Sequence, residues 1–325
     1  MKTRKFYVID GHGMIHRAFH SPLAGNLTTK CGWCGGTGVY EETNNPRIPG
    51  QGGRKCPQCN GTGDEPTKAT FVFTKLLLKM VREHRPDYLV FAHDGCPREH
   101  LHRTKLFHGY KGNRKPGDWE LSAQMRRIKQ LVKLLGIPLV CSEGHEADDV
   151  IATLVDCARG ITGLETIIVS RDGDLAQLIG EGVRMYDALA DEFLDGRWVY
   201  KKFGVHPTQV VDWKAMVGDP GDNYPGVPGI GEKGATEILT KHITAEQFKK
   251  NMLAELFKKP GAPFTKAEGL LQNNWKAFNL SKQLAQLDSD VELDGLESFE
   301  QLEFKGLRMK KAKPLFEQLG FRQWS

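Results

Sequence analysis

Glu146, Asp148 and Asp149 stand in GHEADDVIATL, at the head of an apolar pattern with helical spacing. Acids in that place can cap a helix, because they accept from its free N–H groups and complement the macrodipole. One carboxylate would be enough for that. Glu146 and Asp149 share a helix face, and Asp148 lies about 100° round from Asp149, so all three are expected to border one pocket. Like charges so close repel unless a cation joins them. On this segment alone, capping and metal binding stay equally open.

Four further acids stand after apolar runs. Asp10 ends KFYVID, Asp94 ends DYLVFAHD, and Asp172 and Asp174 close LETIIVSRDGD. Each could be a turn residue, since Asp-Gly is a common turn pair. The runs read as near-continuous apolar strands, and helical patterns alternate with them at 67–84, 119–135 and 147–159. That alternation predicts an α/β domain with a mostly parallel sheet. Ligands bind such sheets at the carboxyl ends of the strands. Three strands then deliver acids to one edge, beside the head of the EADD helix, a convergence that turns do not require.

A second constellation is made of sulfur. The units CGWCGGTG and CPQCNGTG place Cys31 with Cys34 and Cys56 with Cys59. This paired spacing lets four thiolates surround one tetrahedral zinc, and the glycines after each pair free backbone N–H groups to turn towards sulfur. Cys96, Cys141 and Cys157 lack such pairing and read as ordinary thiols. The start MKTRKFYVID lacks the apolar stretch of a signal peptide, and no run approaches the ~20 apolar residues of a membrane span. A cytosolic location is expected, which argues against disulfides among the seven cysteines.

At 325 residues, 39% hydrophobic and 26% charged, the chain reads as a soluble globular protein of two or three units. Its net charge of +5 says little by itself, but basic residues gather at 98–133 while aspartates recur beside turns. A basic surface next to an acidic pocket suits a polyanion held for metal-dependent chemistry. After about residue 200 helical segments dominate, and GDPGDNYPGVPGIGEKGATEIL (218–239) separates two of them. Its glycines and prolines forbid a regular helix until near Glu232. The turn is either a plain interhelical loop or a seat for a phosphodiester backbone on exposed N–H groups.

VIDGHGMIHRAFH, GYKGNRK, GHEADDVIATL, VSRDGDLAQLI and GDPGDNYPGVPGIGEKGA follow one another in this chain. In that combination and order it resembles the 5'-nuclease superfamily, namely the 5'-3' exonuclease domain of bacterial DNA polymerase I and the free-standing flap endonucleases of phages. The resemblance runs from Phe6 to about Leu287, interrupted by residues 31–63. It implies a PIN-like α/β catalytic domain at 1–30 and 64–200, with a mostly parallel sheet flanked by helices and a helical arch at about 96–120. A small zinc-binding insertion at 31–63 and a helical DNA-binding domain with a helix-two-turn-helix at 201–325 complete the expected division.

The same resemblance implies two magnesium or manganese ions held by Asp10, Asp94, Glu146, Asp148, Asp149, Asp172, Asp174, Asp219 and Asp222. Asp94 stands slightly later than the commoner strand ending of the family. Lys111 and Arg114 are expected to act catalytically on the scissile phosphate, Tyr110 to stack on a terminal base, and Arg17 to contact phosphate. Gly229, Gly231 and Lys233 are expected to grip duplex DNA, with a potassium ion at that turn. Arg98, Arg103 and Lys105 read as solvated basic surface, and His12 and His145 as outer-shell or structural.

The implied activity is a free-standing, structure-selective 5' nuclease, a 5'-3' exonuclease or flap endonuclease. It would act in phage or bacterial DNA replication and RNA primer removal, as a cytoplasmic monomer without membrane contact. Its implied partners are DNA with 5' ends or 5' flaps, with RNA–DNA hybrid and replication proteins left open. The rival is a branched-DNA-binding scaffold that does not cut. The cysteine units also resemble the zinc repeats of J-domain chaperones, two here instead of four, though no J-domain signal accompanies them. The insertion is expected to staple a loop too polar to fold alone, and Lys30, Arg47, Arg54 and Lys55 could carry it onto DNA.

Overall fold

A computed structural model of the chain describes residues 3–40, 54–114, 118–258 and 264–325. Arg47 and part of the expected arch, residues 115–117, lie outside them. The order begins β1 (Arg4–Asp10), α1 (Gly11–His20), β2 (Thr28–Lys30), β3 (Val39–Tyr40), β4 (Arg54–Lys55), β5 (Asp64–Pro66), α2 (Lys68–His84) and β6 (Tyr88–Ala92). It continues with α3 (His102–Leu106), α4 (Trp119–Leu135), β7 (Leu139–Val140), α5 (Ala147–Arg159), β8 (Leu164–Val169), β9 (Val183–Asp187) and β10 (Glu192–Leu194). Helices follow: α6 (Gly196–Phe203), α7 (Val210–Val217), α8 (Glu232–His242), α9 (Ala245–Lys258), α10 (Lys266–Asn273), α11 (Trp275–Ala285) and α12 (Met309–Gln318).

The main sheet has six strands in the order β10-β9-β8-β1-β6-β7. β1 runs parallel to β8, from Arg4 opposite Leu164 to Ile9 opposite Val169, and β8 runs parallel to β9. The β9–β10 hairpin at the sheet's edge is antiparallel. Phe6, Tyr7, Val8 and Ile9 are wholly buried, as an unbroken apolar run requires when both faces of a strand are covered. α5 packs on β1 and β8. This is a mostly parallel α/β sheet flanked by helices, followed by a helical region.

The three strands read from the acid-bearing runs are present, but two stop short of their acids. β6 ends at Ala92 and β8 at Val169, so Asp10 alone closes a strand, and Asp94, Asp172 and Asp174 lie on the loops beyond. Ser170 explains part of this: its hydroxyl accepts from the backbone N–H of Asp172 at 3.0 Å, turning the chain out of the ladder. Gly95 is required for a different reason. A Cβ there would collide with the backbone carbonyl of Ser142.

The chain compacts into two interleaved units. One holds residues 1–10, 92–115 and 140–297, and the other holds 11–91, 116–139 and 298–325. Within the second, α2 and α4 pack together, and Gln124 of α4 caps α2 by accepting from the N–H groups of Ala69 (2.7 Å) and Thr70 (3.2 Å). Phe71, Phe321 and Trp324 close that unit's core at 5.2–5.6 Å between rings. Among the described residues, no helix is long and apolar enough to cross a membrane.

Candidate active site and cysteine cluster

Glu146 caps α5, and Asp149 in its first turn reaches back to the Glu146 N–H at 3.3 Å. Asp149 is fully buried and also accepts from Arg103 at 2.6 and 2.7 Å and from the Asp288 N–H at 2.9 Å. Those bonds fill the roughly four acceptor sites of a carboxylate. None is left for a metal. The expectation that all three acids border one pocket is therefore corrected: Asp149 turns into the core, and its carboxyl, which burial alone would raise, is held low by Arg103.

Arg103 is corrected with it. Only 2% exposed, it spends Nε on the Leu284 carbonyl (3.1 Å), Nη1 on Asp149 and Glu146 (3.1 Å), and Nη2 on Asp149 and the Gln286 carbonyl (2.9 Å). All five donors of the guanidinium are used. A basic residue in a basic stretch carried no sign of these acceptors, two of which are backbone carbonyls more than 180 residues away.

Asp148 faces the other way and keeps some solvent access. Burial first, then the carboxylates of Asp172, Asp10 and Glu146, push its carboxyl well above the usual range, against a smaller opposing pull from Lys111. These four acids thus form one electrostatic cluster. Asp10 is buried and accepts from the Ser170 hydroxyl at 2.7 Å, so one side chain ties the ends of β1 and β8 together. Asp94 is exposed and accepts from the Ala147 N–H at 2.9 Å, at the head of α5.

The remaining acids stand on the α7–α8 turn and the loop after β8. Lys214 of α7, buried, is ion-paired with Asp174 and lies 2.8 Å from Asp219. Burial opposes ionisation of Asp219, but Lys214 lowers its pKa. Asp219 also closes its own turn by accepting from the N–H groups of Gly221 (2.7 Å) and Asp222 (3.1 Å). Sequence reasoning passed over Lys214, although a lysine inside the apolar run DWKAMV is a signal, since a buried ammonium must find carboxylates.

The GYKGNRK segment hooks onto that turn. The Lys111 N–H donates to the Asp222 carbonyl (2.8 Å), Asn113 to the Pro220 carbonyl (2.7 Å) and Asn223 to the Gly109 carbonyl (2.6 Å). Lys111 is ion-paired with Glu146 and lies 3.7 Å from Asp222. Arg114, about half exposed, donates to Asp222 at 2.7 Å. Burial would lower the Lys111 pKa, but Glu146 and Asp222 raise it.

Tyr110 is not presented for stacking. It is 2% exposed, with its hydroxyl 2.8 Å from Glu146 and 2.9 Å from Asp222 and one proton to donate between them. Among the described residues, no three of the nine acids bring oxygens within 4.8 Å of one another. Lys111 and Lys214 each sit between two of them.

The α7–α8 turn depends on two glycines at positive φ, Gly218 and Gly226. A Cβ on Gly226 would strike the backbone at Met216–Gly218, which allows the Val227 N–H to reach the Met216 carbonyl at 2.8 Å. Gly229 follows at φ +85°, Gly231 caps α8, and Lys233 is exposed in its first turn. Arg17 is half-buried in the last turn of α1 and belongs to the other compact unit.

The four cysteines converge in that other unit. Their sulfurs all lie within 4.8 Å of one another, with Cys31–Cys56 and Cys34–Cys59 both at 3.7 Å. Zn–S arms of ~2.3 Å in a tetrahedron give edges of ~3.8 Å, so the thiols fit zinc. The Gly38 N–H points at Cys34 (3.2 Å) and that of Gly63 at Cys59 (3.3 Å). Burial raises Cys31 and Cys56, whereas at Cys34 it is outweighed by the N–H groups of Gly38 and Gly36 and by neighbouring thiols, which lower it to about 6.

A parallel sheet with clustered acids at the head of α5, followed by a glycine turn between helices, defines a 5' nuclease. The chain belongs to the 5'-3' exonuclease family: the profile of its N-terminal resolvase-like domain matches residues 5–204 and that of its C-terminal SAM fold residues 205–310. Relatives include the 5'-3' exonuclease of Aquifex aeolicus, 36% identical over 78% of this chain and 82% of that protein. DNA polymerase I of Chloroflexus aurantiacus is 37% identical over 87% of this chain, which spans only 26% of the polymerase. A crystal structure of phage T5 flap endonuclease, a pseudo-enzyme–product complex with DNA and metal ions, shares the fold at a TM-score of 0.62 and 16% identity, covering 98% of this chain and all of that one.

Proposed function

We propose that the protein hydrolyses DNA phosphodiesters at 5' ends and 5' flaps with the help of two divalent magnesium ions. The observation that carries this reading is the gathering of Asp10, Glu146, Asp148 and Asp172 at the head of α5, where burial first, and then the three neighbouring carboxylates, disfavour a charge on Asp148. A divalent cation relieves that repulsion, and an oxygen-only donor set suits magnesium. Asp10, Asp94, Glu146, Asp148 and Asp172 are the proposed ligands of one ion, and Asp174, Asp219 and Asp222 of the other, with Asp94 also bracing the head of α5. When bound, such ions lower the pKa of a coordinated water and neutralise the attacked phosphate.

The chain's own residues supply the rest. Lys111 and Arg114 can exchange their carboxylate partners for phosphate oxygens and stabilise developing negative charge there. Tyr110 orients Glu146 and Asp222, while Lys214 pairs with Asp174 and favours the ionised form of Asp219. Gly229, Gly231 and Lys233, with Arg17, are the proposed duplex and phosphate contacts, a potassium ion joins the glycine turn, and the enzyme acts as a monomer in replication.

The test uses labelled flap, nicked and single-stranded substrates in Mg²⁺. Wild type should cut at the flap base, and Asp148→Asn should abolish cleavage while leaving flap binding largely intact, because the amide keeps the volume and loses the charge. Flap binding without cleavage by wild type would instead favour a branched-DNA scaffold.

The four cysteines are proposed to hold one structural zinc. Metal analysis should find one zinc per chain that survives mild EDTA treatment. A zinc-free, fully folded protein would refute the assignment.

A further inference from the structure

Three of the cations beside the clustered acids already hold carboxylates. Lys111 pairs with Glu146, Arg114 with Asp222, and Lys214 with Asp174 and Asp219. Lys202 of α6 differs. Among the described residues it is in no ion pair, and its ammonium lies over two aromatic rings instead, 5.1 Å from the centre of Trp198 and 5.0 Å from that of Phe203.

The position of that ammonium is fixed from several sides. Trp198 and Lys202 stand four apart on α6 and so share a helix face. Phe203 meets Trp213 edge-on at 5.1 Å, on the helix that carries Lys214, and the Trp213 ring N–H donates to the Thr236 hydroxyl of α8 at 3.2 Å. The ammonium rests against Gly173, the residue between Asp172 and Asp174. A Cβ there would sit 2.7 Å from Lys202 Nζ and 3.1 Å from the Phe203 ring, so the glycine leaves the space that the ammonium fills.

Lys202 nevertheless stays open to solvent as a residue, within reach of a polymer. Partial burial is the first cause that lowers its pKa, and Arg171 adds to it, while Asp172 and Asp219 pull the other way. The charge is thus balanced only at a distance, by two acids of the candidate metal site. Cations bound by those acids would remove that balance, and an ammonium on aromatic faces then needs an anion from outside the chain.

We propose that Lys202 holds a backbone phosphate of the DNA next to the scissile one and so helps to set which phosphodiester meets the acid cluster. This rests on the nuclease reading above and adds a phosphate contact outside both the GYKGNRK segment and the glycine turn. The bland alternative is packing, in which the lysine stem covers Trp198 and Phe203 and its charge is idle. Methionine separates the two, because it keeps the apolar stem and loses the charge.

The experiment follows binding of the full chain to a fluorescein-labelled 5' flap by anisotropy, with Ca²⁺ in place of Mg²⁺. Lys202→Met should weaken binding about tenfold and reduce the slope of log affinity against log salt by about 0.9, the share of one phosphate. Its melting temperature should match wild type. Flaps carrying one uncharged methylphosphonate, moved in turn through the phosphates around the branch point, should reveal one position that costs wild type the same factor. At that position Lys202→Met should lose nothing further.

Wild-type affinity and salt slope in Lys202→Met overturn the proposal. Additive losses at every methylphosphonate position do so too, since they would make Lys202 a general source of positive charge. A lowered melting temperature with an unchanged salt slope would assign the packing role instead. Failure of the nuclease reading would appear separately, as wild type that binds the flap and leaves it uncut in Mg²⁺.

Discussion

Arg103 shows how much one side chain can hold at the candidate site. Its five N–H groups meet Asp149, Glu146 and the carbonyls of Leu284 and Gln286, joining α3, the head of α5 and the C-terminal end of α11. Removing it would leave Asp149 as a buried, uncompensated carboxylate, a loss of about 3–5 kcal/mol. Arg103→Met should therefore lower the urea midpoint strongly, and a second change, Asp149→Leu, should recover part of that loss. A double variant no more stable than the single one would show that the pair is not what holds this region. The expectation that Asp149 is a metal ligand came from the family resemblance of the EADD motif, and a motif could not reveal which carboxylate an arginine 46 residues away would occupy.

At the scale of elements, the helical region carries its own pH dependence. Glu268 caps α10 through Thr265 and accepts from Lys241 (2.7 Å) and His242 (2.8 Å) of α8. Burial would raise its carboxyl, but these partners hold it down to about 2. The folded pKa is below the ordinary ~4.3, so its stabilisation is complete above that value and is lost as pH falls towards 2. Glu268→Gln should cost about 1–3 kcal/mol at pH 6, and the melting difference from wild type should shrink steadily between about pH 4.3 and 2. A constant difference would mean that packing, not charge, holds α8 to α10. The GYKGNRK segment and the α7–α8 turn are the other element-level lesson. Their motifs are each legible, but the three cross-bonds that join them are a product of folding.

Over the whole molecule, the acids and the cysteines belong to different compact units. Stripping zinc with a strong chelator should lower the melting temperature, because the cluster supports Glu65 and its bond to Arg127, while the cleavage rate of the folded fraction on short duplex ends stays essentially unchanged. Loss of both together would mean that the module supports catalysis directly. The sequence by itself determined the fold class, the positions of α2, α4 and α5 and the four thiols. Apolar periodicity, turn glycines and CxxC spacing are local physics, written within a few residues. Only the tertiary structure decided which acids cluster and which are neutralised: Asp148 into the cluster, Asp149 onto Arg103, Tyr110 inward, and Lys214 between Asp174 and Asp219. A buried charge takes whichever partner the fold brings within hydrogen-bond reach, and that partner can be anywhere along the chain.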